Sequence, residues 1–174
     1  MSTTLDVAPT GHAASAVTII DYTPELAPLF KQINIEWIED MFVVEAGDLQ
    51  TLDHPQAQII DRGGRIWFAS HPDHGIVGTL ALIKRDGNNF ELTKMGVLKQ
   101  ARGLKVGEVL LAHALAQGRE MNLDTLFLLT NRRCAAAIHL YEKLGFVHDA
   151  EIMARYGAMY ARCDVAMRYS GAQR

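Results

Sequence analysis

The chain has 174 residues, 49% of them hydrophobic and 21% charged, with a formal net charge of −3. That length can bury a core and the composition is that of an ordinary globular protein, while the slightly acidic balance argues against bulk nucleic-acid binding. No apolar run nears the roughly 20 residues of a membrane helix, and two cysteines, Cys134 and Cys163, make no disulfide framework, so a reduced, cytoplasmic setting is expected.

Residues 1–16 are rich in Ser, Thr, Ala, Pro and Gly. They lack the cationic start and apolar block of a secretory signal, and a flexible tail is expected there, ahead of one domain over 17–171. A β-branched run at 17–20 predicts the first strand. Pro24 suits a helix start, and Leu26, Leu29, Phe30, Ile33 and Trp37 follow at helical spacing, predicting a helix to Met41. The stretch 43–58 is less regular, with Asp53-His54-Pro55 read as a turn into a short helix, and Arg62-Gly63-Gly64 breaks the chain.

Strands are predicted over 65–70, 76–84 and 90–98. They are separated by the turn His71 to Gly75 and by the hairpin signal Asp86-Gly87-Asn88-Asn89. Gly107, Leu110, Leu111, Ala114, Leu115 and Gly118 form one apolar stripe of a helix ending near Met121. The apolar run 124–130 reads as a strand buried on both faces. Cys134, Ala137, Ile138, Tyr141 and Leu144 make the stripe of another helix, with Gly145 as its cap. Two last strands are predicted at 146–152 and 163–169, with 153–161 as a loop between them. Antiparallel strands first and helix-strand alternation after imply an α/β fold with a mixed sheet and helices on both sides.

The segment Gln100-Ala-Arg-Gly-Leu-Lys-Val-Gly107 is the strongest chemical signal. A basic, glycine-bearing turn that opens a helix offers free backbone N–H groups and the positive end of the helix dipole to an anion. In the strand before it, strict alternation puts Phe90 and Leu92 on one face and Glu91, Thr93, Met95 and Val97 on the other. A carboxylate in such a strand is either salt-bridged, with Lys94 or Arg85 as candidates, or desolvated and usable as a general base. Tyr141, on its apolar stripe, is either a core residue or a proton donor lining a cleft.

These segments together resemble the GNAT-type N-acetyltransferases. The resemblance rests on Phe90-Glu-Leu-Thr-Lys-Met-Gly-Val97, on Gln100 to Gly107 with Leu110-Leu111, and on Asn131 to Ala137 with Tyr141, Gly145 and Phe146. It covers nearly the whole of 17–169. It implies a mainly antiparallel central sheet with a splayed parallel pair, into which the pantetheine arm of acetyl-CoA would enter. Met95, Gly96 and Val97 would bond that arm through their backbone. The loop residues Gln100, Arg102, Gly103, Leu104, Lys105, Val106 and Gly107 would hold the pyrophosphate, and Asn131 would help to hold the cofactor or position its helix. Glu91 falls where the family places the base that deprotonates the amine, and Tyr141 where it places the acid for the leaving thiolate. One departure stands out: Lys105 occupies a glycine position of the loop pattern.

The acidic run Glu36, Glu39, Asp40, Glu45 and Asp48 is read either as a solvated helix face or as part of the family's acceptor pocket, with Trp37, Glu45 and Arg162 as substrate-binding candidates. An ion pair of Arg162 with an acidic neighbour is the other reading. His71, Asp73 and His74 share a turn, but no second cluster has ligand spacing, so no metal is expected. The resemblance implies an acetyl-CoA-dependent N-acetyltransferase of a small-molecule or peptide amine, without nucleic-acid or membrane partners; a homodimer is left open. The alternative is a non-catalytic acyl-CoA-binding module of the same fold. Both Gly-x-x-x-x-Gly-Lys-Ser/Thr and Gly-x-Gly-x-x-Gly are absent, which weakens a nucleotide-binding reading.

Overall fold

Hairpin chemistry shapes the first half of the fold. Strands β2 (Arg65–His71), β3 (Gly75–Lys84) and β4 (Asn89–Val97) form an antiparallel meander, and β1 (Thr18–Asp21) adds to its outer edge by pairing with β2. The computed structural model describes residues 16–171, so the tail expected at 1–16 lies, residue 16 apart, outside the described residues. Between β1 and β2 come a 3-10 turn at Pro24–Leu26, helix α1 (Ala27–Met41), helix α2 (Ala46–Asp53) and a π turn at Gln56–Ile60.

The second half alternates: α3 (Val106–Glu120), β5 (Thr125–Thr130), α4 (Ala135–Lys143), β6 (Phe146–His148), α5 (Ala150–Tyr156) and β7 (Val165–Tyr169). Among the described residues the sheet order is β1-β2-β3-β4-β5-β7-β6, with only β4 and β5 parallel. The mixed, mainly antiparallel sheet read from the sequence is therefore the one that forms.

Two corrections concern helices. The irregular stretch after residue 43 contains α2, whose start is secured by the Glu45 N–H donating to Asp48 Oδ2 at 2.9 Å. The loop expected over 153–161 holds most of α5 and a 3-10 turn at Gly157–Met159, and the strand expected to reach residue 152 stops at His148. Asp149 causes both changes. Its Oδ1 accepts the N–H groups of Glu151 and Ile152 at 2.9 and 3.0 Å, an N-cap that turns the chain out of the strand.

Both faces of the sheet are covered. On one, α3 and α4 pack Leu110, Leu111, Ala114 and Tyr141 against Trp67, Leu80, Leu82, Phe90 and Leu92. On the other, α1 and α2 bring Phe30, Ile38 and Leu52 onto Ile66, Phe68, Ala81 and Ile83, and α5 brings Ile152 and Tyr156 onto Phe127. Phe30, Phe68 and Phe127 are fully buried, each contributing about 2–3 kcal/mol.

The exit from α4 depends on Gly145. It has φ +108°, and its carbonyl accepts both the N–H and the Oγ–H of Ser170, at 2.9 and 3.0 Å. A Cβ there would collide with the carbonyl of Gly171. Gly145→Ala should therefore cost roughly 2 kcal/mol and lower the thermal midpoint by roughly 4–8 °C, as read by calorimetry.

Candidate active site

The site begins where β4 and β5 part. Their parallel pairing comprises Asn89↔Thr125, Phe90↔Leu126 and Glu91↔Phe127, and ends there. Beyond it β4 stays with β3 as far as Val97↔Gly78, while β5 stays with β7 as far as Thr130↔Val165. The gap opens into a cleft of about 460 Å³, with Thr93–Val97 on one wall, Leu129 and Thr130 on the other, and Trp37, Cys134–Ala137 and Tyr141 around it. A second groove continues from it past Val97, Arg102, Ala136 and Ala137 to Gly103, Lys105 and the first turn of α3.

The wall contains a bulge that corrects the expected alternation. The register moves from Ala81↔Thr93 to Thr79↔Gly96, so Lys94 and Met95 together oppose the one residue Leu80. Lys94 takes φ +52°, a left-handed backbone unusual for a side chain of its size. After the bulge the faces exchange. Met95 and Val97 join Phe90 and Leu92 on the α3 side, not Glu91 as alternation predicts. Gly96 turns to the α1 side, where a Cβ would meet Trp37 Cδ1 at 2.5 Å and Ile33 Cγ2 at 3.1 Å. Trp37 is held by its indole N–H, which donates to Asn34 Oδ1 at 2.8 Å, and Asn34 in turn donates to the Phe30 carbonyl.

At the far end of the groove, Ala101 and Val106 are buried anchors on either side of an exposed turn. The first intrahelical bond of α3 runs from Val109 N–H to Lys105 O, so the amides of Val106, Gly107 and Glu108 have no partner within the helix. Lys105 caps the helix at φ +61°, ψ +23°. The lysine that replaces a loop glycine thus adopts the conformation that favours glycine, at a cost of about 1–2 kcal/mol. Arg102 lines both grooves and stands 3.8 Å from Asp40, whose carboxylate also takes Lys99 at 3.0 Å. Gln100 is exposed, and neither it nor Leu104 lines either groove.

Glu91 is fully buried and is not part of the cleft lining. Its Oε2 takes the guanidinium of Arg85, with Nε at 2.8 Å, while its Oε1 is buried with no hydrogen-bond partner among the described residues. Of the two partners expected, Arg85 is the one that pairs. Tyr141 does line the cleft, and burial pushes its phenol well above the ordinary range, with Cys134 beside it. That phenol stays protonated throughout the neutral range.

Of the substrate-binding candidates, Trp37 and Arg162 share a small cavity, and Glu45 is bonded to Arg162. Trp37 lines the cleft. Arg162 and Glu45 pair with each other at 2.9 Å, and Arg162 also grips Asp48 through two bonds of 2.7 and 2.8 Å. The ion-pair reading of Arg162 is the one the geometry supports. Asp48 in turn takes Lys94 Nζ at 2.8 Å. Burial alone would raise the Asp48 carboxyl, but Arg162 and Lys94 outweigh it and hold the group well below the usual carboxylate range. Asn131 is committed within the protein: its Nδ2 donates to Arg162 O at 2.8 Å and its Oδ1 accepts Arg133 N–H at 2.9 Å. It ties the start of α4 to the segment before β7.

Sequence reasoning named Lys94 and Asp48 separately and missed that they pair, with Tyr160 beside them. The ring of Tyr160 lies beneath both Lys94 Nζ, at 4.9 Å, and Arg162 Cζ, at 5.2 Å. One signal existed: strict alternation would place Lys94 on the Phe90 and Leu92 face, an unpaired cation in a core, which calls for a bulge or a buried partner. Among the described residues no three His, Cys, Asp or Glu side chains converge as a metal site.

The profile of the acetyltransferase (GNAT) family matches residues 31–146. The Escherichia coli (strain K12) protein named uncharacterized N-acetyltransferase YjgM is 26% identical over 168 residues, covering 93% of this chain and 96% of its own. A GNAT-family acetyltransferase structure from Staphylococcus aureus Mu50 superposes with a TM-score of 0.78 at 24% identity, covering 88% of this chain and 98% of its own. An acetyltransferase structure from Bacillus anthracis in complex with acetyl coenzyme A matches at 27% identity and a TM-score of 0.50, over 61% of each chain.

Lys105→Gly should relieve the left-handed cost, offset in part by the greater freedom of glycine in the unfolded chain. A net gain of about 0.5–1 kcal/mol, a rise of roughly 1–4 °C in the thermal midpoint, is expected by calorimetry.

Proposed function

The chain belongs to the GNAT acetyltransferase family, and on that premise we propose that it moves an acetyl group from acetyl-CoA to a primary amine of a small molecule or peptide by direct transfer. The observation that carries this reading is the parting of β4 from β5 after Glu91 and Phe127, with the Tyr141 phenol on the cleft and basic residues at the helix start beyond it.

The residues present suit such a donor along its whole length. The α3 amides of Val106, Gly107 and Glu108, with Arg102 and Lys105, suit the pyrophosphate. The backbone edge of Met95, Gly96 and Val97, which has no β5 partner, suits the amide-bearing pantetheine arm, bonding it as an added strand would. When bound, acetyl-CoA supplies an acetyl group activated as a thioester.

The chain's own residues then orient the partners and move protons. The walls of the cleft hold acceptor and donor together, which supplies rate through proximity. Glu91 takes the amine proton through its free Oε1. Because Glu91 stands behind the cleft wall, the transfer is relayed by water. Tyr141 gives its proton to the departing sulfur, and burial keeps it charged with that proton beforehand. Asn131, with both polar atoms committed, positions α4 instead of touching the donor.

Titration calorimetry with acetyl-CoA, paired with a screen of primary amines, amino acids and polyamines read by thiol release, tests the reading. Binding with turnover of at least one amine is expected. Binding without any acetylated product would leave a non-catalytic acyl-CoA module, and absence of binding would remove both readings.

Glu91→Gln, which keeps an acceptor for Arg85, should lower turnover at saturating acetyl-CoA by about 100-fold or more; turnover unchanged across the pH range would remove Glu91 from the base role. Tyr141→Phe should slow thiol release by about 10–100-fold. Since its pKa is raised, Tyr141 keeps its proton as pH rises, so in wild type it should cause no loss of kcat up to about pH 10, the ordinary phenol range. A wild-type rate in the phenylalanine variant would make Tyr141 a packing residue.

A further inference from the structure

Three cations and three carboxylates meet behind the cleft wall: Arg85, Lys94 and Arg162 against Glu45, Asp48 and Glu91. They come from three places: the start of α2, strand β4 with its hairpin, and the segment before β7. Lys94 is their link to the cleft. Its ammonium is nearly enclosed, with 2% side-chain exposure against 0% for Asp48, and the two groups stand 2.8 Å apart. Its backbone forms the bulge, in a left-handed conformation that glycine would adopt more easily.

Lys94 therefore carries two unfavourable features at once, a strained backbone and a desolvated charge. Replacing a buried ion pair by apolar side chains is often neutral or stabilising, so stability alone is a poor account of the arrangement. What the pair does provide is direction. The bulge sets the point at which β4 changes faces, and with it the aim of every backbone group from Thr93 to Val97. Without the tether to α2, the extra residue could slip along the strand and return Met95 and Val97 to the opposite face.

We propose that Lys94 and Asp48 are positioning residues for acyl transfer: their buried ion pair pins the β4 bulge and so fixes the backbone wall of Thr93–Val97 on which the thioester is aligned. The proposal rests on the acetyl-transfer reading of the cleft. Arg162 serves the same end at one remove. Its two bonds keep the Asp48 carboxylate in place, and Asn131 holds the Arg162 carbonyl from the α4 side.

The test uses Lys94→Gly, which accepts the left-handed backbone and removes the tether, Lys94→Met, which keeps the stem without charge, and Asp48→Asn, which keeps an oxygen acceptor. Each is measured for thermal midpoint, for CoA affinity by calorimetry, and for kcat with acetyl-CoA and the same mixture of amines, amino acids and polyamines. The expected result is a kcat at least about 10-fold below wild type in both Lys94 variants, with CoA affinity held within about threefold and the fold intact; Asp48→Asn should fall between them and wild type. A folded Lys94 variant with kcat within about twofold of wild type overturns the proposal. So does a loss of kcat that only tracks lost CoA affinity, or failure of all three variants to fold, since the pair would then be structural. No thiol release from wild type overturns the transfer reading itself, and this role with it.

Discussion

Strand β4 is bonded to β3 along nearly its whole length but to β5 over only three residue pairs. The rest of the site follows from that incomplete pairing. A parallel pair inside a sheet is normally closed along its length, because an unpaired backbone edge in a protein interior is costly. Here the edge is left open, and small residues of α4, Ala135, Ala136 and Ala137, face the opening. A strand edge of this kind is a template for an amide-bearing partner, and the fold keeps it within a cleft instead of exposing it at a sheet border.

The same strand concentrates the charge of the interior. Glu91 and Lys94, three residues apart in a mainly apolar strand, are each neutralised from outside the strand, by Arg85 and Asp48. The bulge makes this possible, since it moves Lys94 to the face that Glu91 already occupies, where Asp48 of α2 meets it. Tyr160 fills the space between the two ion pairs, with cations over its ring and Arg85 Nη2 donating to its hydroxyl at 3.5 Å. The acidic run around the end of α1 is thus divided. Asp48 and Glu45 hold Arg162, and Asp48 also holds Lys94, while Asp40 braces the turn before α3 through Lys99 and Arg102.

Much of this was legible from residue order. The meander followed from turn chemistry at Asp86 to Asn89 and from β-branched runs, and α3 and α4 followed from their apolar stripes. These signals are local, and so is the energy behind them. The misses share one origin. Helix α5 hangs on an Asp149 cap in a stretch whose apolar content also suits a strand, and α2 has few buried residues and is held by Asp48 and its distant partners. The faces of β4 were misassigned past Thr93 because one inserted residue inverts a period-two pattern, and within the strand only the charge of Lys94 hints at it.

The sequence by itself determined most of the elements, their order, the basic turn that opens α3, and the candidates for the chemistry in Glu91, Lys105 and Tyr141. Each depends on neighbours within a few residues, through propensity, periodicity and capping. Only the tertiary structure decided where β4 leaves β5, that Lys105 takes a glycine-like backbone, that Glu91 pairs with Arg85 behind the cleft, and that Lys94 and Asp48 meet. Those outcomes join residues tens of positions apart, and their energies, chiefly burial of charge and closure of backbone bonds, exist only once the sheet has formed.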